Sequence, residues 1–263
     1  MAIFPQLTTG ALAAYPFTKV RTGRTLQNLL PDGRRIAVAD PEAARLEWEL
    51  HYRGLTTVEL QAIESLFAAS EGRLKTFTFL DPTDNLLSDS ENFAGAAWTA
   101  DPLLQVTGGF ADPVGGSNAF RLVNSAQTTQ GIRQPIAASG VFEFSFSVYM
   151  RSTTGATANL RILTASSSQF TIVTTSPTWQ RRSLSGALSV DETPVTFAIE
   201  TGPGVSVDVF GAQVDAQPFP APYRKTLAQG GVYASARFDQ DEISVVTEGP
   251  ERHSLTVRIS SRP

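Results

Sequence analysis

The chain contains no cysteine and very few of the groups that commonly form active sites. Among its 263 residues there are two histidines, His51 and His253. Disulfides, thiolate catalysis and cysteine-bound metals are therefore excluded, and a histidine-based metal cluster is not expected. Each histidine lies on the polar phase of a strand pattern, where an exposed position explains it. We therefore expect no catalytic residues and no enzymatic activity.

Positive charge and long apolar segments are also scarce. Lys19, Lys75 and Lys225 are the three lysines, and the net charge is −4. This balance provides no basic field for nucleic acid or for an anionic membrane. No segment approaches the roughly 18 apolar residues that a membrane span requires. The N-terminal residues lack the pattern of a secretory signal. We therefore expect a soluble protein, made in the cytoplasm, without membrane insertion.

The N-terminal third alternates between strand and helix patterns. Residues 45–53 alternate apolar and charged side chains, which predicts a half-buried strand. Two further candidate strands, near 18–28 and 34–39, flank a turn signal at Pro31-Asp32-Gly33. The region around residue 54 marks the change to helical periodicity.

One helix is predicted, over about residues 56–71. Thr56 stands three residues before Glu59, the spacing of a capping box, and apolar residues then recur at helical intervals. Gly72 lies where a C-cap glycine is expected. A short strand follows the helix and ends near Asp81.

The middle of the chain differs in character from both ends. No lysine occurs between Lys75 and Lys225, and this stretch is rich in serine, threonine, glycine and alanine. Short alternating strands with turn residues between them predict an antiparallel sandwich. The expected strands lie near residues 103–107, 119–123, 142–150, 159–163, 169–174, 179–185, 194–200 and 205–214. Strand patterns of the earlier kind return after Tyr223.

Particular segments resemble two known families. The segments NLLSDSENFAGAAWTADPLLQVTGG, FSFSVYMRS, TWQRRSLSG and VDVFGAQVDAQPFPAPYRKT resemble a carbohydrate-binding-module-like jelly roll that recurs in phage virion proteins. The flanking segments GLTTVELQAIESLFAASEGR and TFTFLDP are similar to the N-terminal domain of tailed-phage distal tail proteins and of related gene transfer agent proteins. The expected fold is mainly β: a small β-barrel or sandwich scaffold with one helix (residues 1–85 and 225–263), interrupted by a jelly roll (residues 86–224).

These resemblances imply a structural role. Distal tail proteins form a ring, usually a hexamer, that joins the tail tube to tail-tip and baseplate hub proteins, and an extra domain projects outward. They often carry that domain after the barrel, whereas here it lies within it. The implied location is the virion tail tip, with the inserted sandwich as a possible contact for host surface carbohydrate. The alternative is a stand-alone glycan-binding module on a carrier scaffold that is not part of a virion.

Sugar binding needs an exposed aromatic platform with planar polar side chains beside it. Trp98 and Trp179 also fit packing positions of such a jelly roll, whereas Tyr149 falls on the polar phase of its strand. The glycan-binding candidates are the aromatic residues Trp98, Tyr149 and Trp179 and the polar residues Gln130, Arg133 and Gln134.

Two further groups of charged residues can each be interpreted in two ways. An acidic run beside an arginine is either a solvated turn or a subunit interface; its members are Arg237, Asp239, Asp241 and Glu242. Jelly rolls of this kind can hold a structural calcium ion, and Glu91 and Asp208 are possible oxygen ligands. Neither lies in a recognisable calcium loop, so no metal and no cofactor is predicted.

Overall fold

The computed structural model describes residues 2–262 and divides them into two compact units. Unit 1 contains the residues up to Leu7, Ala13–Phe79 and the residues from Tyr233 onward. Unit 2 contains Thr8–Leu12 and Leu80–Val232. This division assigns residues 80–85 and 225–232 to unit 2, whereas the sequence pattern assigned all of them to the scaffold.

Sixteen strands and one helix are found in the described residues. In chain order they are β1 (Phe17–Leu29), β2 (Arg35–Leu55), α1 (Thr57–Ser70), β3 (Phe77–Leu80), β4 (Thr99–Ala100), β5 (Leu104–Phe110), β6 (Ala119–Asn124), β7 (Gln130–Ile136), β8 (Phe144–Arg151), β9 (Thr157–Leu163), β10 (Ser168–Thr174), β11 (Gln180–Gly186), β12 (Val195–Thr201), β13 (Ser206–Asp215), β14 (Val232–Phe238), β15 (Val245–Gly249) and β16 (Arg252–Ser261). The prediction of a mainly β fold with one helix is therefore confirmed.

Unit 1 is built on one six-stranded sheet. Its order is β1-β2-β16-β14-β3, with β15 paired to β16. The end strands β1 and β3 are not paired with each other, so within residues 2–262 the sheet is open and no barrel closes. Rings from several strands fill its core: Trp48 contacts Phe79 at a centroid distance of 4.9 Å, and Phe77 contacts Phe238 at 4.7 Å.

Helix α1 begins as the sequence predicts and ends one residue earlier than expected. The Thr56 side chain accepts a hydrogen bond from the backbone N–H of Glu59, and the Glu59 carboxylate accepts one from the backbone N–H of Thr56. The capping box is thus confirmed. The C-cap is Glu71, at φ 51°, and Gly72 follows it at φ 61°, so both residues that end the helix are in the left-handed region. The helix buries Leu60, Ile63 and Leu66.

A long hairpin extends from the sheet of unit 1. Strands β1 and β2 pair as far as Leu29 and Arg35, and Gly33, at φ +82°, closes the turn predicted between them. Strand β16 pairs with β2 only over Leu46–Leu55, so the hairpin continues beyond the sheet. We call residues 22–44 the arm.

Unit 2 is an antiparallel β-sandwich. Sheet A has the order β10-β9-β12-β7-β4 and sheet B the order β11-β8-β13-β6-β5. Apart from the β5–β6 and β9–β10 hairpins, successive strands pass between the two sheets, consistent with a jelly roll. Alternate side chains face inward: Phe144, Phe146 and Val148 from β8 share one core with Leu160 and Ile162 from β9.

The strand predictions in the middle of the chain are confirmed, but the two-residue strand β4 and strand β7 were not predicted. Strand β7 contains Gly131 and Pro135, which both disfavour strands. It pairs on one side with β12 and on the other with β4. No helix among residues 2–262 is both long and apolar enough to span a membrane.

Candidate functional site

A row of five side chains crosses the outer face of sheet A, one from each strand. The strand register aligns Phe170, Arg161, Ala198, Arg133 and Thr99 in that order. Core side chains occupy the alternate phase of β7, β9, β10 and β12, so the residues of this row point outward. At a strand spacing of about 4.8 Å, the row is roughly 19 Å long. We call this surface the arginine face.

Arg161 is held in place at one end of the row. Its Nε donates to Glu200 Oε1 at 2.9 Å, and its Nη1 donates to Ser168 Oγ at 3.2 Å. The guanidinium lies 4.9 Å from the centre of the Phe170 ring. A charged group stacked on an aromatic ring and tied to a carboxylate has little freedom, so this end of the face is pre-organised.

Arg133 is anchored at the other end by Asp101. The contact from Arg133 Nη2 to Asp101 Oδ1 is 2.7 Å, and Asp101 Oδ2 also accepts from the backbone N–H of Gly131. Ala198 lies between the two arginines with little side-chain volume of its own. A guanidinium has five N–H donors, and the contacts described use one on Arg133 and two on Arg161. The face therefore presents donors on either side of a shallow centre.

The edge strand β10 carries two exposed apolar side chains, one in this row and one beside it. Phe170 is 52% exposed and Ile172 is 66% exposed. Both point away from the core, on the same side as Arg161. The arginine face thus combines an exposed aromatic ring, an exposed aliphatic group and oriented planar donors.

The outer face of sheet B differs, because residues 217–224 lie across it. Arg181 Nη1 donates to the carbonyl of Ala221 at 2.7 Å, and Gln213 Nε2 donates to that carbonyl at 3.3 Å. Tyr149 lies under this segment, 6.2 Å from the Tyr223 ring centre, and is half-buried. The prediction that Tyr149 is an exposed platform is therefore wrong. Residues 217–224, which we call the crossing segment, cover it.

Burial also affects the electrostatics under this segment. Desolvation raises the pKa of the Asp215 carboxyl, against the lowering effect of hydrogen bonds from Gln213 and Ala221 and of the Arg224 charge. Burial likewise raises the pKa of the Tyr223 hydroxyl. Both groups are held by contacts that stabilise this packing, so neither is placed to act on a ligand.

Trp179 is at the margin of sheet B, where the Arg151 guanidinium lies 4.6 Å from its ring centre. Arg151 also pairs with Asp208 at 3.0 Å, and Arg121 pairs with the same carboxylate at 2.7 Å. The hydrogen bond to Asp208 raises the pKa of Arg121. An arginine thus occupies one face of Trp179, as Arg161 does one face of Phe170, but Trp179 is only partly exposed whereas Phe170 is exposed.

The remaining candidates from the sequence have structural contacts. Trp98 is 7% exposed, packs on Phe93, and donates its indole N–H to the carbonyl of Asp89 at 3.1 Å. It is a core residue rather than a platform. Gln134 is buried and makes two hydrogen bonds to the backbone of Ser88. Gln130 contacts Thr128 and Thr129 at the start of β7.

The structure does not bring the predicted set together. Arg133 lies on sheet A, whereas Tyr149 and Trp179 lie on sheet B. Sequence reasoning missed Phe170 and Arg161. A signal for Arg161 was present, because Leu160 and Ile162 on either side of it mark the inward phase of β9.

The acidic run of unit 1 has partners in the same unit. Asp239 pairs with Arg45 at 2.6 Å, and Asp241 pairs with Arg73 at 3.5 Å. Arg237 donates to the carbonyl of Leu74, and Glu242 is exposed. These contacts favour the interpretation of the run as a local turn.

The two suggested calcium ligands are engaged by basic side chains. Glu91 pairs with Lys225 at 2.6 Å, and Asp208 pairs with two arginines. Within residues 2–262 no cluster of three or more acidic or histidine side chains could hold a metal ion. His51 contacts Thr256 at 3.1 Å, and His253 contacts Thr57 at 3.2 Å.

No protein-family model matches the sequence, and no curated protein matches it. Several solved structures resemble about half of the chain. The enzymatically active domain of tailspike protein 4 of bacteriophage CBA120 is 13% identical with a TM-score of 0.41, and the match covers 52% of this chain and 22% of that one. This chain therefore spans less than a quarter of the tailspike domain's length.

Two carbohydrate-binding modules are similar at the same level. The CBM22-2 xylan-binding domain of Paenibacillus barcinonensis Xyn10C is 9% identical with a TM-score of 0.38, over 52% of this chain and 100% of that one. TmCBM61, solved with β-1,4-galactotriose, is 12% identical with a TM-score of 0.36, over 49% and 97%. Similarities this distant carry no functional argument, and the sandwich fold of unit 2 rests on its own strand topology.

Proposed function

We propose that this chain is a non-enzymatic structural protein of a phage tail tip whose unit 2 binds carbohydrate through the arginine face. The carbohydrate part rests on one observation: Phe170, Arg161 and Arg133 lie in one row on the outer face of sheet A, where Phe170 and Arg133 are exposed. An aromatic ring packs against the C–H surface of a sugar, and fixed guanidinium donors bind its hydroxyls.

The geometry also suits a chain of sugars better than a single sugar. The row is long and shallow, and its donors lie at separated positions along it. Glu200 Oε2 is buried without a hydrogen-bond partner within residues 2–262, beside Arg161. Because this oxygen is enclosed, the Glu200 carboxylate orients Arg161 rather than contacting a ligand. We therefore infer an extended oligosaccharide as the ligand class.

A glycan array followed by titration tests the carbohydrate proposal. The array is supplemented with xylohexaose and β-1,4-galactotriose, the ligands in solved structures of similar domains. Phe170→Ala and Arg133→Gln should each weaken binding of the best array ligand by roughly tenfold or more, because each removes one contact of about 1.5 kcal/mol. Isothermal titration calorimetry gives the dissociation constants.

Phe219→Ala is the matched control. Phe219 is 76% exposed in the same unit but lies on the crossing segment and not on the arginine face. Its substitution should leave the affinity unchanged. Binding that survives Phe170→Ala and Arg133→Gln but is lost on Trp179→Ala would move the site to sheet B and contradict the proposal.

The virion role is supported by the resemblance of the two ends of the chain to distal tail scaffolds. On this proposal unit 1 assembles a ring, with a hexamer as the expected size, between the tail tube and the tip or baseplate hub proteins. Assembly takes place in the host cytoplasm, and the protein ends at the virion tail tip. Negative-stain images and light scattering test this. Rings would support it, and a chain that binds glycan yet stays monomeric would favour a stand-alone binding module.

A further inference from the structure

The arm is open to solvent on both faces and along its outer edges. All residues of β1 from Thr18 to Leu29 are exposed, and so are residues 35–39 of β2. Within residues 2–262, β1 pairs with β2 alone, and β16 reaches β2 only from Leu46 onward. A two-stranded ribbon with no packed face is marginally stable in water. The arm therefore has the properties of a segment that is covered in an assembly.

The two faces of the arm differ in polarity. Leu26 pairs with Val38, and Ile36 lies two residues further along the same face. These three side chains are 53%, 55% and 48% exposed. The opposite face is formed by the pairs Thr25–Ala39, Gln27–Ala37 and Leu29–Arg35. Leu29, next to the turn, is a single large apolar side chain on that face and is 69% exposed. One face thus offers a strip of three apolar side chains, and the other offers one.

The charges of the arm cancel, which restricts the partner. Three arginines and three carboxylates lie between residues 22 and 44. Arg24 donates to Asp40 at 2.8 Å, and Arg34 pairs with Asp32 at 2.6 Å. A neutral surface of this kind does not attract nucleic acid or anionic lipid. An apolar strip with paired charges around it suits a protein surface.

We propose that the arm binds a second copy of this chain and buries Leu26, Ile36 and Val38 in that contact. The inference deepens the ring proposal and rests on it. The arm has 23 residues, and a stable interface uses about 20–30 residues on each side. Ten residues from Thr22 to the tip span roughly 30 Å, so the arm is long enough to lie across the surface of a neighbouring copy.

Sedimentation velocity on the full chain gives the first test. Leu26→Ser combined with Val38→Ser should raise the dissociation constant of self-association by roughly a hundredfold, because two apolar contacts are lost. The matched control is Thr25→Ser with Ala39→Ser, one position away on the opposite face, and it should assemble as the wild type does. All four positions are exposed, so we expect both variants to fold, and circular dichroism verifies this.

Site-specific crosslinking gives the second test. Because the chain has no cysteine, Val38→Cys and Ala39→Cys each provide a single attachment point for a photoreactive maleimide. Val38→Cys should crosslink to a peptide of another copy, identified by mixing isotopically light and heavy protein. Ala39→Cys should do so several-fold less. Crosslinks confined to one chain at both positions would overturn the proposal.

The outcomes separate this inference from the ring proposal. A wild-type chain that associates, with the Leu26→Ser and Val38→Ser variant unchanged, would overturn the arm's role and leave the ring intact. Association that stops at a dimer and depends on the arm would support the inference and contradict the ring. A strictly monomeric wild type would overturn both. Flotation of the protein with phosphatidylcholine vesicles, lost in the variant, would assign the strip to lipid instead.

Discussion

Asn85 shows how one side chain can hold together backbone segments that are distant in sequence. Its Nδ2 donates to the carbonyls of Ala212 at 2.8 Å and Arg224 at 3.2 Å. Its Oδ1 accepts from the backbone N–H of Leu87 at 3.1 Å and of Val214 at 3.0 Å. The side chain is fully buried. An asparagine amide can make about four hydrogen bonds, and this one makes all of them.

Asn85→Ala should therefore destabilise unit 2 by about 3 kcal/mol, because buried backbone groups lose their partners. The urea dependence of amide hydrogen exchange in β8 measures the free energy of unfolding of this unit. Asn118→Ala is the control, since Asn118 is exposed, and its effect should stay within about 0.5 kcal/mol. Equal effects of the two substitutions would mean that water replaces the amide of Asn85.

At the scale of single elements, α1 has a second N-terminal cap from a distant strand turn. The backbone N–H of Thr57 donates to Glu251 Oε2 at 2.8 Å. This hydrogen bond lowers the pKa of the Glu251 carboxyl. A carboxyl with a lowered folded-state pKa stabilises the folded state above its unfolded pKa of about 4.3, and that contribution is lost as the pH falls through the folded value.

Glu251→Gln should accordingly weaken the first turn of α1 at pH 7, and this effect should decrease as the pH falls. At pH 7 its amides should exchange roughly two- to fivefold faster than in the wild type. The difference should disappear as the pH falls through the folded-state pKa, because the wild-type carboxyl then takes up a proton. Glu64→Gln, on the exposed side of the same helix, should have no effect at any pH. A difference that does not decrease with falling pH would contradict the role of the charge.

Element boundaries followed from the sequence wherever the apolar pattern had one consistent period. Strand β8, the 45–53 portion of β2 and α1 are examples. Strand β7 was missed because its Gly131 and Pro135 are poor strand residues, and its pairing with β12 depends on tertiary context. The arginine face could not be predicted either. Arg161 and Arg133 are 28 residues apart in sequence, and only the strand order β9-β12-β7 places them in one row.

The exposure of the arm is a second feature that the sequence pattern could not predict. Leu26, Ile36 and Val38 belong to alternating strands, and such residues ordinarily mark a buried face. Nothing in the sequence says that the sheet ends before reaching them. Only the register of β16, which stops at Leu46, leaves this part of the hairpin without a third strand.

At the scale of the whole molecule, two leucines five residues apart stabilise different units. Leu7 packs against the core of unit 1, whereas Leu12, 2% exposed, belongs to the core of unit 2. Leu12→Ala should lower the free energy of unfolding of unit 2 by about 3 kcal/mol. Amide hydrogen exchange in β8 measures this loss, and amide exchange in α1 should not change. Leu7→Ala should act on α1 and not on β8. Equal effects on both elements from either substitution would mean that the units unfold together.

The position of Leu12 has a genetic consequence. The sandwich unit is encoded in two separate stretches, a short one for Thr8–Leu12 and a long one for Leu80–Val232, with residues of unit 1 encoded between them. Gly10, in the short stretch, packs against Glu143 and Pro218. A Cβ atom added at Gly10 would lie 3.0 Å from Pro218 Cγ, closer than ordinary van der Waals contact. If recombination replaces only the long stretch, the original Gly10 and Leu12 must pack into the core of the new sandwich. A sandwich acquired from another lineage must therefore either pack well against the original segment Thr8–Leu12 or be acquired together with its own version of that segment.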